Sequence, residues 1–183
     1  LLPVISWGKA TAVASLDLTE AEMKWIKQNP TIRTGVDPNY APYSFQGEDL
    51  QYYGVSMDFL ARIEAMTGLA FEVVPDLSWH QILRSAGQGK LDLIPNIVPT
   101  PERREYLLFS QPYLRTPLVI IAREDSPTVR RADDLQNVTV AAVKDYASTK
   151  QLLNEYPDLD TRYYQSTLEA ILSVSLGKTD AFV

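Results

Sequence analysis

The stretch Ser56-Met57-Asp58-Phe59-Leu60-Ala61-Arg62-Ile63-Glu64-Ala65-Met66-Thr67-Gly68-Leu69-Ala70-Phe71-Glu72-Val73-Val74 decides the fold class. Met57, Phe59, Leu60, Ile63 and Met66 recur at helical spacing, and Gly68 is placed to end the helix in a left-handed turn. Leu69 to Val74 then reads as a short apolar strand. The same alternation extends both ways. Upstream, Thr31 to Val36 reads as a strand and Asp37-Pro38-Asn39-Tyr40-Ala41-Pro42 as a rigid turn. Before them, Thr19-x-x-Glu22 is a capping box opening a helix with Met23, Trp25 and Ile26, closed by Asn29-Pro30. Downstream, Ser78 caps a helix carrying Trp79, Ile82, Leu83 and Ala86, stopped by Gly87 and Gly89. Leu91 to Val98 reads as a buried strand with turn residues inside it, and Thr100-Pro101-Glu102-Arg103 as the start of the next helix. Strands alternating with helices predict a layered α/β architecture with largely parallel pairing.

Pro117 to Arg123 is the most continuous β-branched run, and it leaves this first unit. After the polar stretch Glu124 to Asp134 the alternation resumes. Val138 to Val143 is a strand, Ala147 to Glu155 a helix and Thr161 to Tyr164 a strand. Ser166-x-x-Glu169 opens a helix that ends at Gly177. The organisation read from this is a lead-in helix (15–30), a first α/β lobe (31–118) and a second, incomplete α/β lobe (119–183), joined near 115–124. The opening run Leu1-Leu2-Pro3-Val4-Ile5, followed by the small-residue steps Ala10-Thr11-Ala12 and Ala12-Val13-Ala14, reads as the remnant of a secretory signal over 1–14. An ordinary first strand or a disordered leader would look similar. Asp180-Ala181-Phe182-Val183 reads as a strand just beginning, so the sequence is taken as a fragment with any membrane anchor outside it.

Composition narrows the function. The net charge of −6 argues against a nucleic-acid partner, whose phosphates require a basic face. With no cysteine, disulfides and thiolate metal sites are excluded. The single histidine, His80, has no Ser or Asp at a spacing that implies a catalytic triad, and at a helix start it reads as a solvated or capping residue. Phosphate-cradling glycine loops and the H-E-x-x-H zinc motif do not occur. The expectation is a binding module that is not an enzyme and uses no cofactor or metal.

Three places could hold a ligand. In Thr100-Pro101-Glu102-Arg103 the Thr caps and the Pro suits the first helical position. Open backbone N–H groups then face outward, and Arg103 adds a planar fork that can grip a carboxylate in two parallel bonds. A capped helix whose Arg faces water carries the same signature. Tyr40, Tyr43 and Phe45 crowd a Pro-rich turn after a strand, and Trp79 opens a helix after another, where open α/β sheets bind ligands. Each ring singly could be core packing. Asp145-Tyr146-Ala147-Ser148-Thr149, between a strand and a helix, could supply the opposite jaw or simply cap that helix.

At these residues the sequence resembles the family 3 extracellular solute-binding proteins of bacteria, with the type II periplasmic binding or Venus flytrap fold. The resemblance runs from about Thr31 to the last residue. It is carried by Arg33-Thr34-Gly35-Val36-Asp37 with Tyr40-Ala41-Pro42-Tyr43-Ser44-Phe45, by Gly89-Lys90-Leu91-Asp92-Leu93-Ile94, by Thr100-Pro101-Glu102-Arg103, by Phe109-Ser110-Gln111-Pro112-Tyr113 and by Gly177-Lys178-Thr179-Asp180-Ala181-Phe182-Val183. It implies two lobes, the second truncated at its C-terminus, closing by a hinge over an amino acid or similar solute. It further implies Arg103 as the carboxylate clamp, Tyr43 or Phe45 as a ring wall, and the backbone from Asn96 to Val98 as a ligand contact. Two departures stand out. Val98 replaces the family's usual hydroxyl residue, and Asp145-Tyr146-Ala147 replaces its usual Gly followed by Thr or Ser. The lead-in helix and the Pro-Thr-Pro-Glu-Arg-Arg block resemble the BvgS-like sensor modules of membrane-anchored signalling proteins, which precede histidine kinase or cyclic-di-nucleotide domains. A free receptor of an ABC-type transporter is the alternative, and an enzyme on the same scaffold, such as a small dehydratase, a third. All three imply a periplasmic location and a small carboxylate ligand as partner.

Overall fold

The computed structural model describes residues 16–126 and 129–183, so the suspected signal remnant over 1–14 lies outside the described residues. Helix α1 (Glu20–Gln28) begins where the sequence requires. The Thr19 hydroxyl accepts the Glu22 N–H at 3.3 Å, while the Glu22 carboxylate accepts the Thr19 N–H at 2.8 Å. That reciprocal pair satisfies two donors that a helix start leaves open.

In the first lobe, β1 (Thr31–Thr34) and β5 (Ala70–Val73) pair in parallel, joined by the crossover through α2 (Val55–Thr67). Helix α2 ends as expected, with Gly68 at φ 74° in the left-handed region. Helix α3 (Trp79–Gly87) starts on a capping box between Ser78 and Gln81. Val36, Leu60, Ile82 and Leu91 form the buried interior. Gly35 lies so close to it that a Cβ would come within 2.6 Å of Leu91 Cδ1 and 2.8 Å of Ile82 Cγ2.

Three differences from the sequence reading matter for the site. The supposed turn over 37–42 instead begins a three-stranded antiparallel meander of β2 (Asn39–Tyr40), β3 (Ser44–Gln46) and β4 (Tyr52–Tyr53). The strand expected over 91–98 contributes a single bridge, Leu93 beside Thr34. Pro95 and Pro99 have no N–H to give a ladder. The helix expected from Thr100 is one 3₁₀ turn, Arg103–Glu105, which closes with the Leu107 N–H on the Arg103 carbonyl at 2.8 Å. Beyond it Leu107, Phe109 and Pro112 lead into extended chain, with no apolar stripe at helical spacing to bury.

The second lobe holds a four-stranded sheet in the order β6-β9-β7-β8. Strand β7 (Val140–Val143) runs parallel to β8 (Thr161–Tyr164) and β9 (Ala181–Phe182), while β6 (Ile121–Ala122) is antiparallel to β9. All four residues of β7 are buried, which is why it reads as an unbroken apolar run. Helices α4 (Ala147–Glu155) and α5 (Thr167–Ser175) are the two crossovers. One core cluster joins Ala141, Val143, Ala170, Val174 and Phe182, and a second joins Leu135, Val140, Leu159 and Ala181. This is the two-lobe α/β fold of the type II periplasmic binding proteins. The C-terminal ends of the parallel strands β1 and β7 lead into Asp37 and into Asp145-Tyr146, and the Tyr146 hydroxyl reaches Asp37 across the cleft. No described helix is long and apolar enough to cross a membrane.

Candidate functional site

Arg103 is the largest fully buried side chain among the described residues, with 2% of its surface exposed. Thr100 positions it, since the Thr100 hydroxyl accepts the Arg103 N–H at 3.2 Å. Its guanidinium reaches between the lobes. Nη1 donates to the Val98 carbonyl at 2.8 Å, and Nη2 donates across the cleft to the Asp145 carbonyl at 2.9 Å. The guanidinium carbon stands 5.4 Å from the centre of the Trp79 ring, in cation–π range. Nε is buried and has no hydrogen-bond partner. Burial lowers the pKa of this group from its ordinary value, opposed by Tyr106 and by the acidic Glu102 and Asp145 nearby. A guanidinium stays protonated regardless.

A second polar centre is Asp37, 4% exposed. One carboxylate oxygen accepts the Asn39 N–H at 2.9 Å, and the other accepts the Tyr146 hydroxyl at 3.0 Å from the opposite lobe. Burial pushes the Asp37 carboxyl above its usual range, against the pull of those two hydrogen bonds. Burial also raises Tyr146, reinforced by the charge of Asp37. Asn96 donates to the Ser44 hydroxyl at 3.0 Å, which itself donates to the Asp37 carbonyl at 2.8 Å. The Asn96 side-chain oxygen is buried without a partner.

The structure brings together Arg103, Trp79, Tyr40, Tyr43, Tyr146, Asn96, Val98 and Thr100. Tyr40 packs on Tyr43 at 5.1 Å between ring centres and meets Tyr146 edge-on at 5.5 Å, while Trp79 meets Tyr146 edge-on at 6.3 Å. Val98 takes part through its carbonyl, and its side chain is exposed. Phe45 is set apart. It follows the buried Ser44 on β3, so its side chain points to the other face of the strand and packs on Tyr53 at 5.9 Å. Ala147 and Ser148 are half-buried in the first turn of α4. The dipole of a full helix, expected behind Arg103, is replaced by a single turn too short to supply it.

Two residues of the cleft make contacts that the sequence reading did not give them. Asp37 looked like a turn residue, and Asp145 acts through a backbone carbonyl that side-chain reading does not reveal. His80, read as solvated or capping, instead pairs across the cleft with the Asp145 carboxylate at 2.8 Å while remaining largely exposed. Among the described residues, no cluster of three or more His, Asp or Glu side chains gathers as a metal site would. A groove of about 490 Å³ lies elsewhere, between α1 and the β1–β5 pair, lined by Trp25, Ile32, Leu69 and Phe71. Its one carboxylate, Asp92, is already held in a two-pronged pair by Arg33, so the convergent chemistry belongs to the cleft.

Residues 32–165 match the sequence profile of bacterial extracellular solute-binding proteins, family 3. The chain is 29% identical to the virulence sensor protein BvgS of Bordetella pertussis over 98% of its own length, and 30% identical to the sensor protein EvgS of Escherichia coli K12 over 92%. It spans only 15% and 14% of the lengths of those two relatives. Among solved structures, the periplasmic VFT2 domain of B. pertussis BvgS superimposes with a TM-score of 0.77 at 29% identity, covering 90% of this chain and 70% of that one.

Proposed function

Because this chain belongs to the bacterial extracellular solute-binding proteins, family 3, we propose that it captures a small carboxylate-bearing solute, an amino acid or a similar molecule, between its lobes without chemically altering it. The observation that carries this reading is the unpartnered Nε on a buried Arg103. Leaving a charged N–H unsatisfied in the interior costs about 1–3 kcal/mol or more. A carboxylate meeting the Nε side of the fork would satisfy it in the parallel, two-bond geometry that guanidinium favours. Trp79, Tyr40 and Tyr43 supply apolar walls, and Asp37 with the Asn96 oxygen supplies acceptors for a donor elsewhere on the same solute. Rings around a few convergent polar groups make a binding cleft.

In this reading the domain sits in the periplasm and serves as the sensory part of a membrane-anchored signalling protein. The likeness to BvgS and EvgS over nearly the whole chain supports it. Solute capture alters how the lobes are held together, and that change is relayed onward as a shift between populations of lobe arrangements. The test is a thermal-shift screen of the twenty L-amino acids and simple mono- and dicarboxylates, run on the wild type and on Arg103→Ala. A compound that binds the folded form raises the melting midpoint with its concentration. The expected result is at least one carboxylate that shifts the wild type and leaves Arg103→Ala unmoved. Equal shifts in both proteins would remove Arg103 from the site.

A further inference from the structure

Four polar links across the cleft converge on two adjacent residues. The Asp145 carbonyl accepts Arg103 Nη2 at 2.9 Å and Trp79 Nε1 at 3.2 Å, and the Asp145 carboxylate holds His80 Nδ1 at 2.8 Å. The Tyr146 hydroxyl donates to Asp37 at 3.0 Å. Arg103, Trp79, His80 and Asp37 all belong to the first lobe, and Asp145 and Tyr146 to the second. Lys150 of α4 adds an ion pair with Glu102 at the rim. Asp145 reaches this position at φ 65°, a left-handed conformation that non-glycine residues adopt at a cost of about 1–2 kcal/mol. Such a conformation persists where its surroundings over-determine it.

The contacts made by this dipeptide are those a solute would want. A carboxylate meeting the Nε side of a guanidinium takes Nε together with Nη2, and the Asp145 carbonyl already sits on one of the two Nη2 N–H groups. Approach from the end of the fork meets the Val98 and Asp145 carbonyls, each seated on one of the two N–H groups of Nη1 and Nη2. The Tyr146 ring stands edge-on to both Tyr40 and Trp79, in the space those rings wall, and its hydroxyl takes the acceptor on Asp37.

We propose that Asp145-Tyr146 is a built-in occupant of the cleft, which holds the two lobes together in the absence of solute and which an incoming carboxylate displaces from the space between Arg103 and the aromatic walls. This rests on the assignment of Arg103 as the solute clamp. A solute then has two effects at once. It replaces the Asp145 carbonyl on Nη2, and it separates Tyr146 from Asp37. Apparent affinity is reduced by the fraction of molecules in which the dipeptide is seated, so weakening the occupant tightens solute binding. The resting domain is closed, and the signal is the exchange of one occupant for another.

The chain has no cysteine, so nitroxide labels can be placed at will. Gln88→Cys and Gln151→Cys put one on an exposed position of each lobe, and pulsed electron resonance reads the distance between them with no solute added. The expected wild-type result is a narrow distribution that lengthens and broadens by several ångström in Tyr146→Ala. Tyr146→Phe keeps the ring and loses the Asp37 bond, and it should broaden the distribution part of the way. That variant also keeps the test decisive if the alanine form folds poorly. A wild-type distribution already as broad as that of the variants would overturn the proposal, and so would variants indistinguishable from wild type. Titrating the twenty L-amino acids should give an affinity in Tyr146→Phe several-fold tighter than in wild type, and unchanged or weaker affinity counts against the occupant. Loss of affinity in Arg103→Ala reads the clamp separately, so failure of one assignment does not hide failure of the other.

Discussion

Replacing Arg103 by methionine separates what this residue does for stability from what it does for binding. Two N–H···O=C bonds are lost, to Val98 and Asp145. Val98 is 54% exposed, so water reaches its neighbourhood, and the Asp145 carbonyl keeps the Trp79 N–H. The loss therefore falls at the low end for charge-assisted bonds, about 1.5 kcal/mol each and about 3 kcal/mol together. Against it stands relief from burying a cation, which costs several kcal/mol in real proteins, and from the unpartnered Nε. The two sides cancel to within about 1 kcal/mol, and methionine refills most of the volume. Arg103→Ala also removes the stem and leaves a cavity, for a net cost of about 2–4 kcal/mol. Urea unfolding with linear extrapolation should therefore show methionine near wild type and alanine clearly below it. Both variants should lose solute affinity by roughly 30-fold to several thousand-fold, corresponding to about 2–5 kcal/mol. The reasoning is refuted if methionine unfolds as easily as alanine, because Arg103 would then be a structural post.

Other outcomes follow from the same geometry. Asp37→Asn keeps the bond from the Asn39 N–H and reverses the other, its new amide N–H donating to the Tyr146 hydroxyl, while removing the buried charge. The folded-state pKa of Asp37 lies above its ordinary 3.8, so the folded protein binds that proton more tightly and loses stability as pH rises through the folded value. The variant should melt higher than wild type at pH 7, with the gap closing below about pH 3; a gap that grows in acid would reverse the assignment. Asp92 shifts the other way, held down to about 2 by its hydrogen bonds from Arg33. Its contribution is present above 3.8 and disappears as pH falls through about 2. Because both partners are more than a third exposed, Asp92→Asn should cost no more than about 1 kcal/mol at neutral pH by denaturant melting. Gly35→Ala forces a methyl against Leu91 and Ile82 and should destabilise by about 1–3 kcal/mol in the same assay; a neutral result would mean that this interior is loosely packed.

The capped helices were the most legible part of the fold. Thr19, Ser78 and Ser166 each place an acceptor where an open N–H needs one, and each helix starts within a residue of the expected position. Strand β7 was equally plain as an unbroken apolar run, and β8 was marked by its β-branched and aromatic residues just ahead of the Ser166 cap. The meander over β2 to β4 was hidden. Its strands are two or three residues long, too short for alternation to show, and Pro38 and Pro42 read as turn punctuation. The segment over 91–98 misled in the opposite direction, since its apolar content suggested a ladder that Pro95 and Pro99 deny it.

At the cleft, residue type and loop position revealed Arg103, Trp79, Tyr40 and Tyr146. They did not separate Phe45 from Tyr43, because Tyr43 lies in the turn before β3 and packs on Tyr40 while Phe45 lies on β3 and packs on Tyr53, a division that residue type does not show. Asp145 lay in the loop read as a possible opposite jaw, but the contact it makes was out of reach for a different reason. Its largest contribution is a carbonyl oxygen aimed by a left-handed backbone turn, and neither is written in the side chain.

The most direct measurement is calorimetric titration of a matched pair, the carboxylate that emerges from the thermal screen and its primary amide. The two have nearly the same size and shape and differ in the charge offered to Arg103. Binding of the acid with the amide weaker by about 30-fold or more is the predicted result. Equal affinity for the two would mean that the buried guanidinium does not grip a carboxylate.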